Sequence, residues 1–244
     1  MTLLETHGLV KMYSGRAVVN EVYISIAQRS IVGLLGRNGA GKTTTFRMIM
    51  GMIIPNGGTV IFEDRDITKL QMYKRARLGI GYLSQEPSIF QRLSVRDNLY
   101  AILETMSVTK AERNRRADTL IERFGLTEVA YSQGKYLSGG ERRKLEIARA
   151  MVTNPSLILL DEPFSGVDPI AVEDLQQEIR QLVAGGVSIL ITDHNVERTL
   201  EVVDKAYIID HGKVIGAGRP AEIVRDQTIK KLYLGNTFDG DEFD

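Results

Sequence analysis

The feature that most constrains this chain is the octapeptide GRNGAGKT at residues 36–43. It fits the pattern G-x-x-x-x-G-K-[ST], in which glycines let consecutive backbone N–H groups curl around a phosphate. An unbroken apolar run, residues 31–35, precedes it, and a helical pattern follows over about residues 41–50. A buried strand that turns into a helix at such a loop predicts a phosphate site. Lys42 would reach the terminal phosphates and Thr43 would hold Mg²⁺.

Length and composition suit an ordinary globular protein. The chain has 244 residues, of which 43% are hydrophobic and 25% charged, which allows one large domain or two small lobes. Its formal net charge is zero, so we expect no strong, non-specific binding of nucleic acid. The absence of cysteine excludes disulfides, thiolate metal sites and cysteine nucleophiles, and fits a cytoplasmic protein.

The sequence contains no apolar stretch of the roughly 18–20 residues that a membrane-spanning helix needs. Glu5 and His7 lie where a signal peptide would be apolar. Any role at a membrane would therefore depend on a partner.

Short apolar runs alternate with turn and helix signals along most of the chain. This alternation predicts an α/β fold with a parallel sheet that carries helices on its faces. The pattern becomes helical from residue 86 to about residue 132, which indicates a helical lobe inserted into the α/β core. The predicted strands are residues 22–27, 31–35, 59–62, 157–160, 187–192 and 206–210, and the predicted lobe helices are residues 94–105 and 109–124.

Two adjacent carboxylates, Asp161 and Glu162, follow the apolar run 157–160. Open α/β sheets bind ligands at the carboxyl ends of their strands, where these two side chains would lie. Successive side chains on a strand point in different directions, so the two can take different roles. We expect Asp161 to bind Mg²⁺ directly or through water, and Glu162 to polarise the attacking water as general base.

The segment LSGGE at residues 137–141 precedes a helical run, residues 142–151. Ser138 is a good candidate for the N-cap of that helix, and the two glycines leave backbone N–H groups accessible. This would be a second helix start suited to a phosphate, and the spacing alone leaves open whether both serve one nucleotide.

Together these motifs resemble those of the ATP-binding cassette (ABC) ATPases, over nearly the whole chain. The resemblance implies a P-loop NTPase fold with a mixed, largely parallel sheet core, an N-terminal antiparallel β part and an inserted helical lobe. It divides a single nucleotide-binding domain into a core (residues 1–85 and 156–236), a lobe (86–155) and an acidic tail (237–244). It implies hydrolysis of ATP with Mg²⁺ by a homodimer, in which the signature segment 137–141 of one subunit caps the γ-phosphate held by the other.

The resemblance also implies individual roles. Tyr13 would stack on adenine, and Ser165 and Asp168 would communicate across the dimer. Gln85 would link Mg²⁺ and the attacking water to the lobe, while His194 would contact the γ-phosphate. Arg37 departs from the family, which more often has proline or serine there. The implied nucleotide-binding set is Tyr13, Gly36, Asn38, Gly39, Ala40, Gly41, Lys42, Thr43 and Thr44; the catalytic set is Lys42, Gln85, Glu162 and His194; the metal set is Thr43, Gln85 and Asp161; and the signature set is Ser138, Gly139, Gly140 and Glu141.

A closer resemblance is to the ATPases of lipopolysaccharide exporters. It is carried by five stretches, residues 39–46, 85–99, 138–150, 159–172 and 190–196, and by the tail residues Tyr233, Leu234, Gly235 and Phe238. It implies two transmembrane partner subunits, a place on the cytoplasmic face of the inner membrane of a Gram-negative cell, and extraction of lipopolysaccharide from that membrane.

Beside Gln85, the same resemblance places a groove for the membrane partners. Its candidate residues are Ser88, Ile89, Phe90 and Arg92. Aromatic and arginine side chains dominate the energetics of interfaces, so Phe90 would be a good anchor if exposed. The alternative is that Ile89 and Phe90 belong to the core of the lobe.

Two further functions share these motifs. One is the ATPase of a branched-chain amino-acid importer. The other is a soluble ABC ATPase that acts on nucleic acid or ribosomes, supported by the basic run RRK at residues 142–144. On a helix, such a run is more typical of a solvated face.

Overall fold

The computed structural model describes residues 1–86, 88–166 and 169–230, with the backbone alone for residues 169–171. The predictions for Asp168 and for the tail residues 233–238 and 237–244 lie outside the described residues.

Two sheets form among the described residues. One is antiparallel, in the order β2-β1-β4-β5, and the other has the order β10-β9-β3-β8-β7-β6. All neighbours in the second sheet are parallel except β10 and β9. The strands are β1 (Thr2–Tyr13), β2 (Arg16–Ala27), β3 (Ile31–Gly36), β4 (Gly57–Phe62), β5 (Arg65–Asp66), β6 (Ile80–Leu83), β7 (Leu157–Asp161), β8 (Ser188–Thr192), β9 (Lys205–Asp210) and β10 (Lys213–Gly218).

Helices cover the six-stranded sheet and fill the segment between β6 and β7. They are α1 (Lys42–Met50), α2 (Met72–Arg77), α3 (Val95–Leu103), α4 (Lys110–Arg123), α5 (Gly139–Met151), α6 (Pro169–Ala184), α7 (Val196–Leu200), α8 (Pro220–Arg225) and α9 (Gln227–Ile229). Each of the three helices α3, α4 and α5 begins after a serine or threonine whose hydroxyl accepts a backbone N–H: Ser94, Thr109 and Ser138. The predicted α/β class with an antiparallel part is confirmed, and so is the predicted N-cap Ser138.

The six-stranded sheet has a separate hydrophobic core on each face. Alternation along a strand sends Ile158 and Leu160 of β7 to one core and Leu157 and Leu159 to the other. The first core is shared with α3, α4 and α5, and the second with α1 and the antiparallel sheet. Because both faces are covered, the central strands β3, β7 and β8 are buried along nearly their whole length, and their polar residues lie at the ends of β7 and β8.

Parallel register brings three strand ends to one edge. In β8, Thr192 pairs with Leu34 of β3 on one side and with Asp161 of β7 on the other. The phosphate loop, the acidic pair and the segment that contains His194 each follow one of these strands. The three predicted motifs therefore meet at one edge of the sheet.

A buried arginine fixes the far end of α1. Arg75 has no exposed surface, and its guanidinium donates to the carbonyls of Met48 and Ile49, at 2.8 and 2.6 Å, in the last turn of α1. It also donates to the carbonyls of Leu70 and Thr68, both at 2.9 Å. Burial lowers the pKa of Arg75 to about 10. The carbonyls in the last turn of a helix have no donor within the helix, and the Arg75 guanidinium supplies hydrogen-bond donors to two of those carbonyls in α1.

We expect Arg75→Met to lower the free energy of unfolding by about 3 kcal/mol, because it leaves buried carbonyls without donors. The midpoint of thermal unfolding should fall by roughly 6–12 °C. The matched control is Arg77→Met on the exposed side of the same helix, which should change the free energy by no more than about 0.5 kcal/mol. Equal losses in the two variants would show that the four carbonyl contacts contribute nothing.

Candidate active site

The phosphate loop leads from β3 to α1 and is pressed against two other strands. A Cβ on Gly36 would lie 2.2 Å from the carbonyl oxygen of Ile209 in β9. A Cβ on Gly41 would lie 2.7 Å from the carbonyl oxygen of Val18 in β2, and Gly41 has a φ of +107°. Both positions therefore require glycine, and the loop is held by the fold rather than by its own sequence alone.

Lys42 is the first residue of α1 and its side chain is buried. The ammonium Nζ donates to the carbonyls of Gly36 at 2.5 Å and Arg37 at 3.2 Å, at the top of the loop. Burial lowers the pKa of Lys42, against the opposing effect of the carboxylates Glu162, Asp193 and Asp161. An ammonium group has three donors, so one remains for a ligand while two carbonyls are bound.

An open cleft of about 290 Å³ lies over the loop. Thr43, Thr44 and Glu162 line it together with the loop residues and Val18. Arg37 is exposed at this cleft. Tyr13 is not among the lining residues: its ring is 48% exposed near the β1–β2 turn, with the ammonium of Lys11 5.5 Å from its centroid.

Asp161 ends β7, and two hydroxyl groups hold its carboxylate. Thr192 Oγ1 donates to one oxygen at 2.8 Å, and the Tyr82 hydroxyl donates to the other at 3.4 Å. Burial, together with the carboxylate of Asp161, raises the pKa of Tyr82 to about 12, so the phenol keeps its proton at neutral pH. Asp161 is thus oriented by the neighbouring strands β6 and β8.

Glu162 lies where the chain leaves β7 in a left-handed conformation, with a φ of +47°. Such a conformation is strained for a residue with a Cβ and occurs often at functional sites. Its backbone N–H donates to the carbonyl of Thr192 at 2.7 Å, which anchors the turn. Gln85 Nε2 donates to Glu162 Oε2 at 2.9 Å, and His194 Nδ1 lies 3.4 Å from the same oxygen. The structure therefore brings three predicted catalytic residues together on one carboxylate oxygen.

The Asp193 side chain holds the backbone on both sides of the contact between Glu162 and His194. It is fully buried, and its carboxylate accepts the N–H groups of Phe164 at 3.0 Å and Asn195 at 2.8 Å. The turn that follows Glu162 and the turn that contains His194 are thereby tied to one side chain.

The signature segment forms the start of α5. Ser138 and Glu141 make a capping box, in which the Glu141 carboxylate accepts the Ser138 N–H at 2.8 Å and its hydroxyl at 2.7 Å. These hydrogen bonds lower the pKa of Glu141. A Cβ on Gly139 or Gly140 would have no atom within 4 Å, so the backbone there is open to a ligand or partner.

The signature and the phosphate loop line different cavities of this chain. Gly139 and Gly140 line a cavity of about 330 Å³ together with Gln85, Glu162 and Ser165. The loop residues line the cleft described above, and Glu162 borders both. The backbone N–H of Ser165 donates to the carbonyl of Glu162 at 3.2 Å, within the same turn.

The segment after Gln85 carries the four residues predicted for a partner groove. Ser88, Phe90 and Arg92 are exposed, and the Arg149 guanidinium carbon lies 4.7 Å from the Phe90 ring centroid. The prediction for Ile89 is wrong, because its side chain is only 7% exposed and packs in the hydrophobic core. Of the two residues in the alternative reading, Ile89 belongs to the core and Phe90 is at the surface.

Sequence analysis missed the residue that shapes this segment. Asn98 of α3 is fully buried; its Oδ1 accepts the Phe90 N–H at 2.8 Å, and its Nδ2 donates to the carbonyls of Phe90 at 3.0 Å and Ser94 at 2.9 Å. No local pattern marks Asn98, because Arg96, Asp97 and Asn98 are all polar and lie between the same two apolar residues, Val95 and Leu99. A buried amide needs hydrogen-bond partners, and only the fold shows them.

In the part of the chain that the structure describes, no helix has the length and apolar character that crossing a membrane requires. The same residues include no group of three or more histidine, aspartate or glutamate side chains arranged to hold a metal ion.

Comparison with known proteins gives a consistent result. The family model described as "ABC transporter" matches residues 19–165. The chain is 51% identical to the lipopolysaccharide export system ATP-binding protein LptB of Escherichia coli K12, over 98% of this chain and 99% of that protein. It is 49% identical to the LptB protein of Acidithiobacillus ferridurans, over 97% and 98%. A probable ABC transporter ATP-binding protein of Azorhizobium caulinodans is 50% identical, over 96% and 84%.

Solved structures agree in fold. An ATP-binding cassette of an ABC transporter in its ADP conformation superposes with a TM-score of 0.87 at 26% identity, over 97% of this chain and 100% of that one. A nucleotide-free ATP-binding cassette superposes with a TM-score of 0.86, also at 26% identity and with the same coverage.

Proposed function

We propose that this chain, which belongs to the ABC transporter family and is the ATP-binding, ATP-hydrolysing subunit of such a transporter, powers the extraction of lipopolysaccharide from an inner membrane. The observation that carries the proposal is the identity of about half of all residues, over nearly the full length, to proteins named for lipopolysaccharide export. The convergence of Gln85, Glu162 and His194 supports the hydrolytic part.

ATP would lie over the phosphate loop, with its β- and γ-phosphates on the N–H groups of residues 38–44 and on Lys42. Tyr13 would stack on adenine, for which its exposed ring is available. The donor set suits Mg²⁺, which is bound by few carboxylates together with phosphate oxygens and water. The Thr43 hydroxyl, the Gln85 amide oxygen and Asp161 would hold the ion, which would neutralise phosphate charge.

Glu162 would act as general base on the water that attacks the γ-phosphorus. Gln85 donates to this carboxylate and leaves its remaining lone pairs for the water. His194 Nδ1 lies 3.4 Å from the same oxygen, and its imidazole would contact the γ-phosphate. The strained backbone of Glu162 supports this role, because such strain persists only where the surroundings fix it.

The signature would complete the site of a second copy of the chain. This is supported by the two cavities, because within one chain the signature and the phosphate loop do not line a common cleft. In a head-to-tail dimer, Ser138, Gly139 and Gly140 would face the γ-phosphate held by the partner. The open backbone at the two glycines lies at the positive end of the α5 helix dipole, which suits an anion. Ser165, and Asp168 beyond the described residues, would communicate across this dimer.

Loss of the γ-phosphate would let the dimer open, and α5 would carry the motion to the membrane partners. Two contacts of Ser88 support this route: its N–H donates to Glu146 at 3.1 Å, and its carbonyl accepts from Arg149. Both partners lie on α5. The predicted lobe, residues 86–155, would move against the predicted core, residues 1–85 and 156–236.

Two transmembrane subunits would dock at Ser88, Phe90 and Arg92, with the half-exposed Phe90 as anchor. The chain would then lie on the cytoplasmic face of the inner membrane, where ATP is present.

We expect Glu162→Gln to keep ATP binding and to lower turnover about 10³-fold, because the general base is lost while the charge near the phosphates becomes less negative. Release of inorganic phosphate under saturating ATP measures turnover. Glu173→Gln, at an exposed position of α6, is the control and should leave turnover unchanged. Near-normal turnover in Glu162→Gln would remove Glu162 from this role.

Mixed dimers test whether a site is shared between two copies. Homodimers of Lys42→Ala and of Ser138→Arg should both be inactive, because each lacks one half of every site. A doubly tagged heterodimer of the two variants has one intact shared site, so its turnover should return to about half of the wild-type value. If both motifs served the same chain, the heterodimer would stay inactive.

Pull-down of the tagged chain from detergent-solubilised native membranes tests the transported cargo, with mass spectrometry of the co-purified proteins. We expect two membrane subunits of a lipopolysaccharide exporter, and their loss with Phe90→Ala but not with Tyr73→Ala, an exposed aromatic outside the groove. Recovery of amino-acid permease subunits would agree with the ATPase mechanism but would show that the transported cargo is an amino acid and not lipopolysaccharide. Recovery of ribosomes or DNA-repair proteins would contradict a transport function.

A further inference from the structure

The helix that follows His194 is held at its far end by another helix. Gln176 of α6 is only 5% exposed, and its Nε2 donates to the Arg198 carbonyl at 2.9 Å and to the Glu201 carboxylate at 2.7 Å. Arg180, one turn along α6, donates to the Glu201 carbonyl at 2.8 Å. Both N–H groups of the Gln176 amide are thus used, and both acceptors lie at the end of α7.

The path from Gln176 to His194 is short and stiff. The helix α7 has five residues and begins directly after Asn195, whose Oδ1 accepts the Arg198 N–H at 3.2 Å. Thr199 Oγ1 donates to the Asn195 carbonyl at 2.8 Å. A displacement of the end of α7 therefore reaches Asn195, and His194 is the next residue.

The other side of His194 is held by the same part of the chain. Asp193 accepts the N–H of Phe164, which lies just before the segment that leads into α6. His194 is therefore fastened before and after itself to the stretch that runs from Glu162 through α6. Its own side chain is half exposed, and Nδ1 lies 3.4 Å from a carboxylate oxygen of Glu162 and 3.5 Å from one of Asp193.

We propose that Gln176 is a positioning residue for hydrolysis, which holds α7 so that the His194 imidazole stays at Glu162. The inference rests on the role proposed above for His194. It adds that α6, α7 and the imidazole move as one body. A signal that reaches the start of α6 from the opposite subunit would then shift His194 without any change at the phosphate loop.

The first test is Gln176→Leu, which keeps the bulk of the side chain and removes both donors. We expect kcat to fall about tenfold, because small displacements of a reacting group have large effects on rate. The KM for ATP should stay within about twofold, because the contacts of Gln176 lie away from the residues that line the nucleotide cleft. Gln177→Leu, at the exposed neighbouring position, is the matched control and should leave both constants unchanged.

A contact swap separates positioning from simple loss of stability. Gln176→Glu alone places two carboxylates together and should lower kcat at least as much as Gln176→Leu. Adding Glu201→Gln restores a donor and an acceptor between positions 176 and 201 but leaves the Arg198 carbonyl without its donor, so kcat should recover in part, to a value above that of Gln176→Glu alone. Thermal unfolding of each variant, with and without nucleotide, confirms that folded protein is compared.

The outcomes distinguish this inference from the function on which it rests. If His194→Ala lowers kcat while the folded Gln176 variants keep wild-type kcat, or if the double variant turns over no faster than Gln176→Glu, the positioning role is overturned and the ATPase mechanism stands. If His194→Ala itself keeps wild-type kcat, the proposed role of His194 fails and the inference fails with it. A fall in kcat at constant KM that the swap partly restores supports the inference.

Discussion

The parallel pairing of β7 and β8 beside β3 is the constraint on which the site depends. Thr192 is its centre: it pairs with Leu34 and Asp161, donates its hydroxyl to the Asp161 carboxylate and offers its carbonyl to the Glu162 N–H. A slip of one residue in this register would send every side chain of the strand to the opposite face. Burial of both faces in apolar cores makes such a slip costly, so the chemistry is positioned by packing.

The polar groups at this edge of the sheet combine unfavourable effects, burial and backbone strain, with favourable hydrogen bonds and charge contacts. Lys42 gives up part of its hydration, which lowers its pKa, and offsets this through two loop carbonyls and nearby carboxylates. Glu162 keeps a strained backbone, and Gln85 and His194 approach one of its oxygens. A nucleotide phosphate would accept a hydrogen bond from the Lys42 ammonium and would lie close to the carboxylate of Glu162. This edge of the sheet therefore places a buried ammonium group beside several carboxylates, an arrangement that suits the binding of a charged ligand.

Much of the local structure could be predicted because it depends on short-range chemistry. The phosphate loop, the cap Ser138, the predicted helices 94–105 and 109–124, and the apolar strands all have signals within a few residues. Strand β1 was missed because its side chains do not alternate cleanly, and its pairing with β2 shifts register at several points. Arg75 and Asn98 were missed because a buried polar residue looks like a surface residue in sequence until its partners are known.

The sequence by itself determined the class of fold, the capped start of α5, and where the phosphate loop and the acidic pair Asp161 and Glu162 lie relative to the strands. These depend on residue type and on spacings of one helical turn or one strand. Only the tertiary structure decided that Gln85 and His194 meet on one oxygen of Glu162, that Ile89 is core while Phe90 is surface, and that Gln176 holds the helix after His194. Those contacts join residues far apart in the chain, and their distances are set by how two cores pack against one sheet, which no local pattern encodes.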